Sequence, residues 1–76
     1  MIIGWNIYRV EVSIAPVSRL GYYLSGMYLS LAATDPDEAV AAAEEAVRLR
    51  WPGFRLSNVE SCHVIVYGDE LRAKYE

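Results

Sequence analysis

The chain has 76 residues, a net charge of −3 and 54% apolar residues. Its length predicts one domain, 1–76, which buries only about 60% of the surface that the unfolded chain exposes. The apolar content is too high for a disordered chain. The negative charge argues against a protein held on nucleic acid by phosphate contacts, because those need clustered lysines and arginines.

The N-terminus shows neither the pattern of a signal peptide nor that of a membrane span. The single cysteine, Cys62, excludes an internal disulfide, which fits a reducing cytoplasm. Small domains that lack disulfides and metals can gain stability from oligomerisation or from a partner. We therefore expect association with a second copy or with another protein.

The first strand is predicted at residues 6–14, where apolar side chains recur with a period of two. One face carries Tyr8, Val10, Val12 and Ile14, and the other carries Ile7, Arg9, Glu11 and Ser13. Proline cannot donate a ladder hydrogen bond and glycine tolerates unusual backbone dihedrals. Pro16 and Gly21 therefore predict a hairpin loop at residues 16–21.

The second strand is predicted at residues 22–33, with two fairly apolar faces. Tyr23, Met27, Leu29 and Leu31 share one face, and Tyr22, Leu24, Tyr28 and Ser30 share the other. Gly26 interrupts this run, which indicates a bulge or a close backbone approach.

A helix follows the sequence Thr34-Asp35-Pro36-Asp37-Glu38. Asp35 is the predicted N-cap, Pro36 suits the first helical position, and Glu38 can reach back to complete a capping box. Alanine, the best helix former, dominates residues 38–50. The predicted inward stripe is Val40, Ala43, Val47 and either Leu49 or Arg50, with Asp37, Glu44, Glu45 and Arg48 facing water. Trp51-Pro52-Gly53 ends the helix.

The last strand is predicted at residues 54–67, and the irregular stretch 57–61 indicates a bulge or a short turn within it. Residues 69–76 form a charged tail or one further helical turn. The predicted fold is α+β, a three-stranded antiparallel sheet packed by one helix in ββαβ order.

One helix covers only one face of such a sheet. The opposite face would carry Ile7, Tyr22, Leu24 and Tyr28, with Ile65 and Tyr67 as further candidates. An apolar surface of that size is unusual on a monomer. It predicts a homodimer or a partner interface, and the alternative is a strongly twisted sheet with scattered exposed tyrosines.

Nothing in the sequence assembles a catalytic centre. His63 is the only histidine, and its neighbour Cys62 points to the opposite face of the strand. One histidine and one cysteine do not make a zinc site, and no glycine-rich phosphate-binding pattern occurs. We expect no metal, no cofactor and no enzymatic activity.

The acidic residues of the helix are the best polar candidates for function. Asp35 and Glu38 are explained by capping, whereas Asp37, Glu44 and Glu45 would also suit docking onto a basic protein groove. The arginines are dispersed and outnumbered by acids, which argues against direct RNA binding.

Five features in the second half of the chain carry a resemblance: Thr34-Asp35-Pro36, the alanine-rich helix, Trp51-Pro52-Gly53, an apolar strand ending near Tyr67, and Glu70-Leu71-Arg72-Ala73-Lys74. Together they resemble small phage-encoded anti-CRISPR proteins directed against type I surveillance complexes, I-F or I-C like. The resemblance implies a non-catalytic inhibitor in the host cytoplasm. It would bind a subunit of the complex, for example a basic nucleic-acid-binding one, and block target DNA or the recruited nuclease.

Two other interpretations remain open. The first strands and the helix also resemble the small domain of toxin-neutralising antitoxins or another protein-binding module of a mobile element, although no DNA-binding segment is present. A small enzyme is the third interpretation.

For the inhibitor, tyrosines and carboxylates are suitable interface anchors. The predicted partner-binding residues are Trp5, Tyr22, Tyr28, Asp37, Glu44 and Glu45.

Overall fold

The computed structural model describes residues 5–69 as three strands and one helix. The elements are β1 (Asn6–Pro16), β2 (Leu24–Ala33), α1 (Pro36–Arg50) and β3 (Phe54–Val66). The strand order is β2-β1-β3, and β1 is antiparallel to both neighbours. The predicted ββαβ fold of the α+β class is confirmed. Apart from Asp69, the predicted tail at 69–76 lies outside the described residues.

The core lies between the sheet and α1, and the central strand supplies most of it. Alternate residues of β1 point at the helix and are almost completely buried, as the period of two predicts. The buried core consists of Tyr8, Val10, Val12, Ile14, Leu29, Ala33, Ala39, Ala43 and Val47. Two of the three buried helical residues are alanines, and their small side chains allow α1 to lie close to the sheet.

Helix α1 begins at the predicted cap. The Glu38 backbone N–H donates to the Asp35 carboxylate at 2.8 Å, and Pro36 occupies the first turn. The predicted return bond from Glu38 to Asp35 is wrong. The Glu38 carboxylate instead accepts from the Thr34 hydroxyl, so it orders the chain just before the helix.

The predicted inward stripe needs correction. The buried positions are Ala39, Ala43 and Val47, while Val40 is only half-buried and Leu49 is 74% exposed. A spacing of four keeps the buried residues on one narrow line. The next inward position falls beyond the helix, and the half-buried Trp51 takes it, so that neither Leu49 nor Arg50 faces the sheet.

The hairpin between β1 and β2 is longer than predicted. Strand β1 continues to Pro16 and β2 begins at Leu24, which leaves residues 17–23 as the connection and places Tyr22 outside the strand. Pairing of β1 with β2 ends at Ile14 and Leu24, whereas pairing with β3 continues to Pro16. The Val17 N–H bonds to the Gly53 carbonyl on the β3 side. By alternation the Pro16 nitrogen faces the β2 side, where pairing has already ended, so no ladder bond needs its missing N–H.

Bulges interrupt the pairing at several points. The β1–β2 register shifts between Val12 and Ile14, where β2 contains one extra residue, and Gly26 lies in this stretch with φ +79. The β1–β3 register shifts three times, yet β3 is one continuous strand and is not divided. These bulges keep the apolar residues of β3 toward the helix despite their uneven spacing.

Candidate functional site on the open face of the sheet

The side of the sheet turned away from α1, called the open face below, is polar at its centre. Register places these residues there: Arg9, Glu11, Ser13, Tyr28, Ser30, Asn58, Ser61 and His63. The prediction that this face is apolar is therefore wrong for the centre of the face. Ile7 and Tyr28 occupy it as predicted, whereas Tyr22 lies in the hairpin and Leu24 is aligned with the core residue Ile14.

Arg9 and Tyr28 form the first ordered pair on this face. The Arg9 guanidinium lies over the Tyr28 ring at 4.3 Å from its centroid. A cation–π contact at an exposed site contributes about 0.5–1 kcal/mol. The contact holds a flexible arginine flat against the sheet, while 51% of the Tyr28 surface stays exposed.

Glu11 lies in the next row, between the two edge strands. It is directly opposite Tyr28 on β2 and Ser61 on β3. The Ser61 hydroxyl donates to the Glu11 carboxylate at 3.4 Å, a long and weak bond. Arg9 and Glu11 thus set one positive and one negative group side by side on the central strand.

A shallow depression of ≈ 260 Å³ adjoins these rows. It is lined by Ser13, Tyr23, Ser57, Asn58 and Glu60. The Glu60 carboxylate accepts from the Ser13 hydroxyl at 2.8 Å and from the Asn58 side-chain amide at 3.2 Å. Ser13 is 3% exposed, so this bond satisfies a polar group that burial would otherwise penalise.

The bulges build the depression. A regular strand would place Tyr23 on the same face as Met27. An extra residue in β2 reverses the alternation there and brings Tyr23 beside Ser13 on the open face. Register leaves Ser57 and Glu60 of β3 without a partner on β1. Bulges reorient side chains in this way in many sheets. The site therefore depends on backbone irregularity as much as on sequence.

The six predicted anchors do not lie on one surface. Tyr28 is on the open face, and Tyr22 is in the hairpin loop with the Arg19 guanidinium 5.1 Å from its ring centroid. Trp5 precedes β1 and is 40% exposed. The remaining three are exposed on α1, on the other side of the sheet: Asp37, Glu44 and Glu45.

Apart from Tyr28, the residues of the site were not among the predicted anchors. Alternation already placed Arg9, Glu11 and Ser13 on the face opposite the core, so their position was a usable signal. The face on which Glu60 lies was not predictable in the same way, because it depends on the exact position of a bulge. The sequence indicates only that a bulge falls somewhere within residues 57–61.

Cys62 and His63 face opposite sides, as predicted. Cys62 is opposite Val10 on the core side, and His63 is opposite Arg9 on the open face. Burial raises the pKa of the Cys62 thiol above its ordinary value, which disfavours the reactive thiolate. This arrangement separates the thiol from the imidazole that would activate it.

Within residues 5–69, no group of three histidine, cysteine, aspartate or glutamate side chains is placed to hold a metal ion. Over the same residues, no helix has the length and apolar character needed to cross a membrane. The ordered features of the site are hydrogen-bonded polar side chains and exposed aromatic rings.

No protein-family model, curated protein sequence or solved structure matches this chain.

Proposed function

We propose that this protein is a non-enzymatic inhibitor that binds another protein through the open face of its sheet. The observation that carries the proposal is the ordered pair of Arg9 and Tyr28 beside the depression that Tyr23 lines. Tyrosine, serine, asparagine and arginine are the residue types that dominate adaptable protein-binding surfaces. Here they stand on a sheet, which fixes their positions better than a loop would.

The hairpin loop extends this surface. Val17, Leu20, Tyr22, Tyr23 and Leu24 are all more than half exposed. Tyr23 belongs to both the loop and the depression, so the apolar tip and the polar face are continuous. An apolar region beside ordered polar groups is the arrangement that buried interface anchors require.

The first partner to test is a type I CRISPR surveillance complex in the bacterial cytoplasm. Support for this choice comes from the resemblance of residues 34–74 to small anti-CRISPR proteins and from the net charge of −3. A negative protein approaches a basic nucleic-acid-binding subunit favourably. Binding there would block target DNA or the recruited nuclease.

The test is capture of purified type I complexes on the immobilised protein, followed by affinity measurement with Tyr28→Ala and Arg9→Ala. Because aromatic and arginine anchors dominate interface energies, we expect Tyr28→Ala to weaken binding by roughly tenfold or more. Arg50→Ala is the matched control for Arg9→Ala, since Arg50 also lies over an aromatic ring, Trp51 at 5.6 Å, but at the helix end.

The outcomes separate the partner from the surface. If no type I complex is retained by the wild-type protein, the proposed partner is wrong. If a complex is retained equally by Tyr28→Ala, Arg9→Ala and Arg50→Ala, the partner stands and the open face is not the contact. Neutralisation of a small basic toxin would instead favour the antitoxin interpretation.

A further inference from the structure

The outer edge of β2 is a regular, uncharged strand edge. Among residues 5–69, β2 pairs only with β1, so its other edge presents unpaired backbone groups. Residues 27–33 pair one for one with β1, without a bulge. The whole strand, LSGMYLSLAA, contains no charged residue and no proline. Soluble proteins usually protect such an edge, because it is a template for further strand pairing.

The opposite edge of the same sheet is protected. Strand β3 carries three register shifts and the exposed charged or polar residues Arg55, Glu60 and His63. Bulges and charges are two devices that block edge-to-edge pairing. The contrast between the two edges indicates that β2 is left open for pairing and β3 is not.

Two apolar side chains at the β2 margin of the core are only partly covered. Met27 and Leu31 pack against the buried core but are only half-buried themselves. Helix α1 packs less extensively on β2 than on β3, and part of the apolar surface of Met27 and Leu31 stays exposed. A partner at this edge would therefore bury apolar side chains as well as pair backbone groups.

We propose that β2 pairs antiparallel with β2 of a second copy of this chain, which joins the two sheets into one of six strands. A two-fold axis makes the contact self-complementary, so each copy offers the same uncharged edge. Met27 and Leu31 of one copy then meet those of the other beside the two helices. The strand itself carries no charge, so no like charges face each other directly across the paired edge.

This dimer differs from one formed through the open face. The two sheets join edge to edge, so both open faces stay accessible to solvent. It places two copies of the Arg9–Tyr28 pair on one continuous surface. The inference does not depend on the identity of the inhibited partner, since it concerns the free protein.

Ser30→Glu is a direct test of the pairing. Ser30 is exposed on β2 and is directly opposite Arg9, so a glutamate there has a favourable neighbour within the monomer. In the dimer, the two introduced carboxylates approach each other along a short antiparallel stretch. Since like charges across strands repel, we expect a roughly twofold to fivefold rise in the dimer dissociation constant.

His63→Glu is the matched control. His63 is also exposed and also opposite Arg9, but it lies on β3. Sedimentation equilibrium should show dimers for the wild-type protein and for His63→Glu, and weaker dimers for Ser30→Glu. Mixing Ser30→Glu with Ser30→Lys should restore a dimer of the two variants, and thermal unfolding should show that each variant is folded.

Three results would overturn the proposal. The first is a wild-type protein that stays monomeric at its highest soluble concentration. The second is equal dimer affinity for folded Ser30→Glu and His63→Glu. The third is a monomer that captures an extended peptide at β2, which would make the edge a site for another protein.

Discussion

Gly26 decides which side of the sheet Tyr23 occupies. Its φ of +79 lies in the left-handed region, and a β-carbon placed there would meet no atom within 4 Å. Steric crowding therefore does not select glycine at this position, and backbone conformation does. The bulge at Gly26 brings Tyr23 to the depression lined by Ser13 and Glu60.

Gly26→Ala should destabilise the protein although alanine has space. Left-handed backbone costs a residue with a β-carbon about 1–2 kcal/mol, and asparagine tolerates it better. We expect the free energy of unfolding, measured with urea, to fall by about that amount for alanine and by less for Gly26→Asn. Ser25→Ala, an exposed neighbour on the same strand, is the control. Equal stability of the Gly26→Ala and wild-type proteins would show that the bulge does not need this conformation.

At this scale the sequence was informative only in part. Gly26 and the stretch 57–61 both indicated bulges, and bulges are present at both places. The sequence did not predict on which face Tyr23 and Glu60 lie, because one extra residue moves every side chain beyond it to the opposite face of the sheet. The point at which the extra residue enters depends on pairing across the sheet, which local sequence does not contain.

At the level of elements, alanine sets the distance between α1 and the sheet. Ala39 and Ala43 are fully buried, so we expect a larger side chain there to crowd the sheet and push the helix away from it. Because both faces of the helix are rich in alanine, apolar contrast between them is weak. That weakness explains why the predicted stripe included Leu49, whereas the cap at Asp35 and the stop at 51–53 were predictable from local chemistry.

Ala43→Leu tests this distance against a matched position. Overpacking a close contact typically costs about 1–3 kcal/mol, and leucine has nearly the helix propensity of alanine. The same substitution at the exposed Ala41 changes no packing, so we expect a change within about 0.5 kcal/mol. Thermal unfolding followed by circular dichroism measures both. Similar melting temperatures for the two variants would mean that the helix can move away from the sheet without cost.

Across the whole molecule, the residues proposed as partner contacts lie on two opposite sides of the sheet. The open face and the hairpin carry the exposed Tyr22, Tyr23 and Tyr28, and α1 carries the exposed Asp37, Glu44 and Glu45 on the other side of the sheet. The described part of the chain measures 47 × 19 × 17 Å. The two short dimensions are about twice the Debye length of roughly 8–10 Å at ordinary salt, so the helix charge acts only weakly there on a basic partner at the open face. At low salt the Debye length grows to about 30 Å, and the same charge then acts through the solvent on such a partner.

Reversing the helix charge distinguishes steering from contact. In the variant Glu44→Lys/Glu45→Lys, both changed residues are exposed on α1. If the open face meets a basic subunit, the association rate should fall, most strongly at low salt, while the dissociation rate stays constant. Surface plasmon resonance over a salt series separates the two rates. The control is Arg48→Ala, which makes the same helix more negative and should speed association. A faster dissociation in the lysine variant would place α1 inside the contact, and the open face would then not be the binding surface.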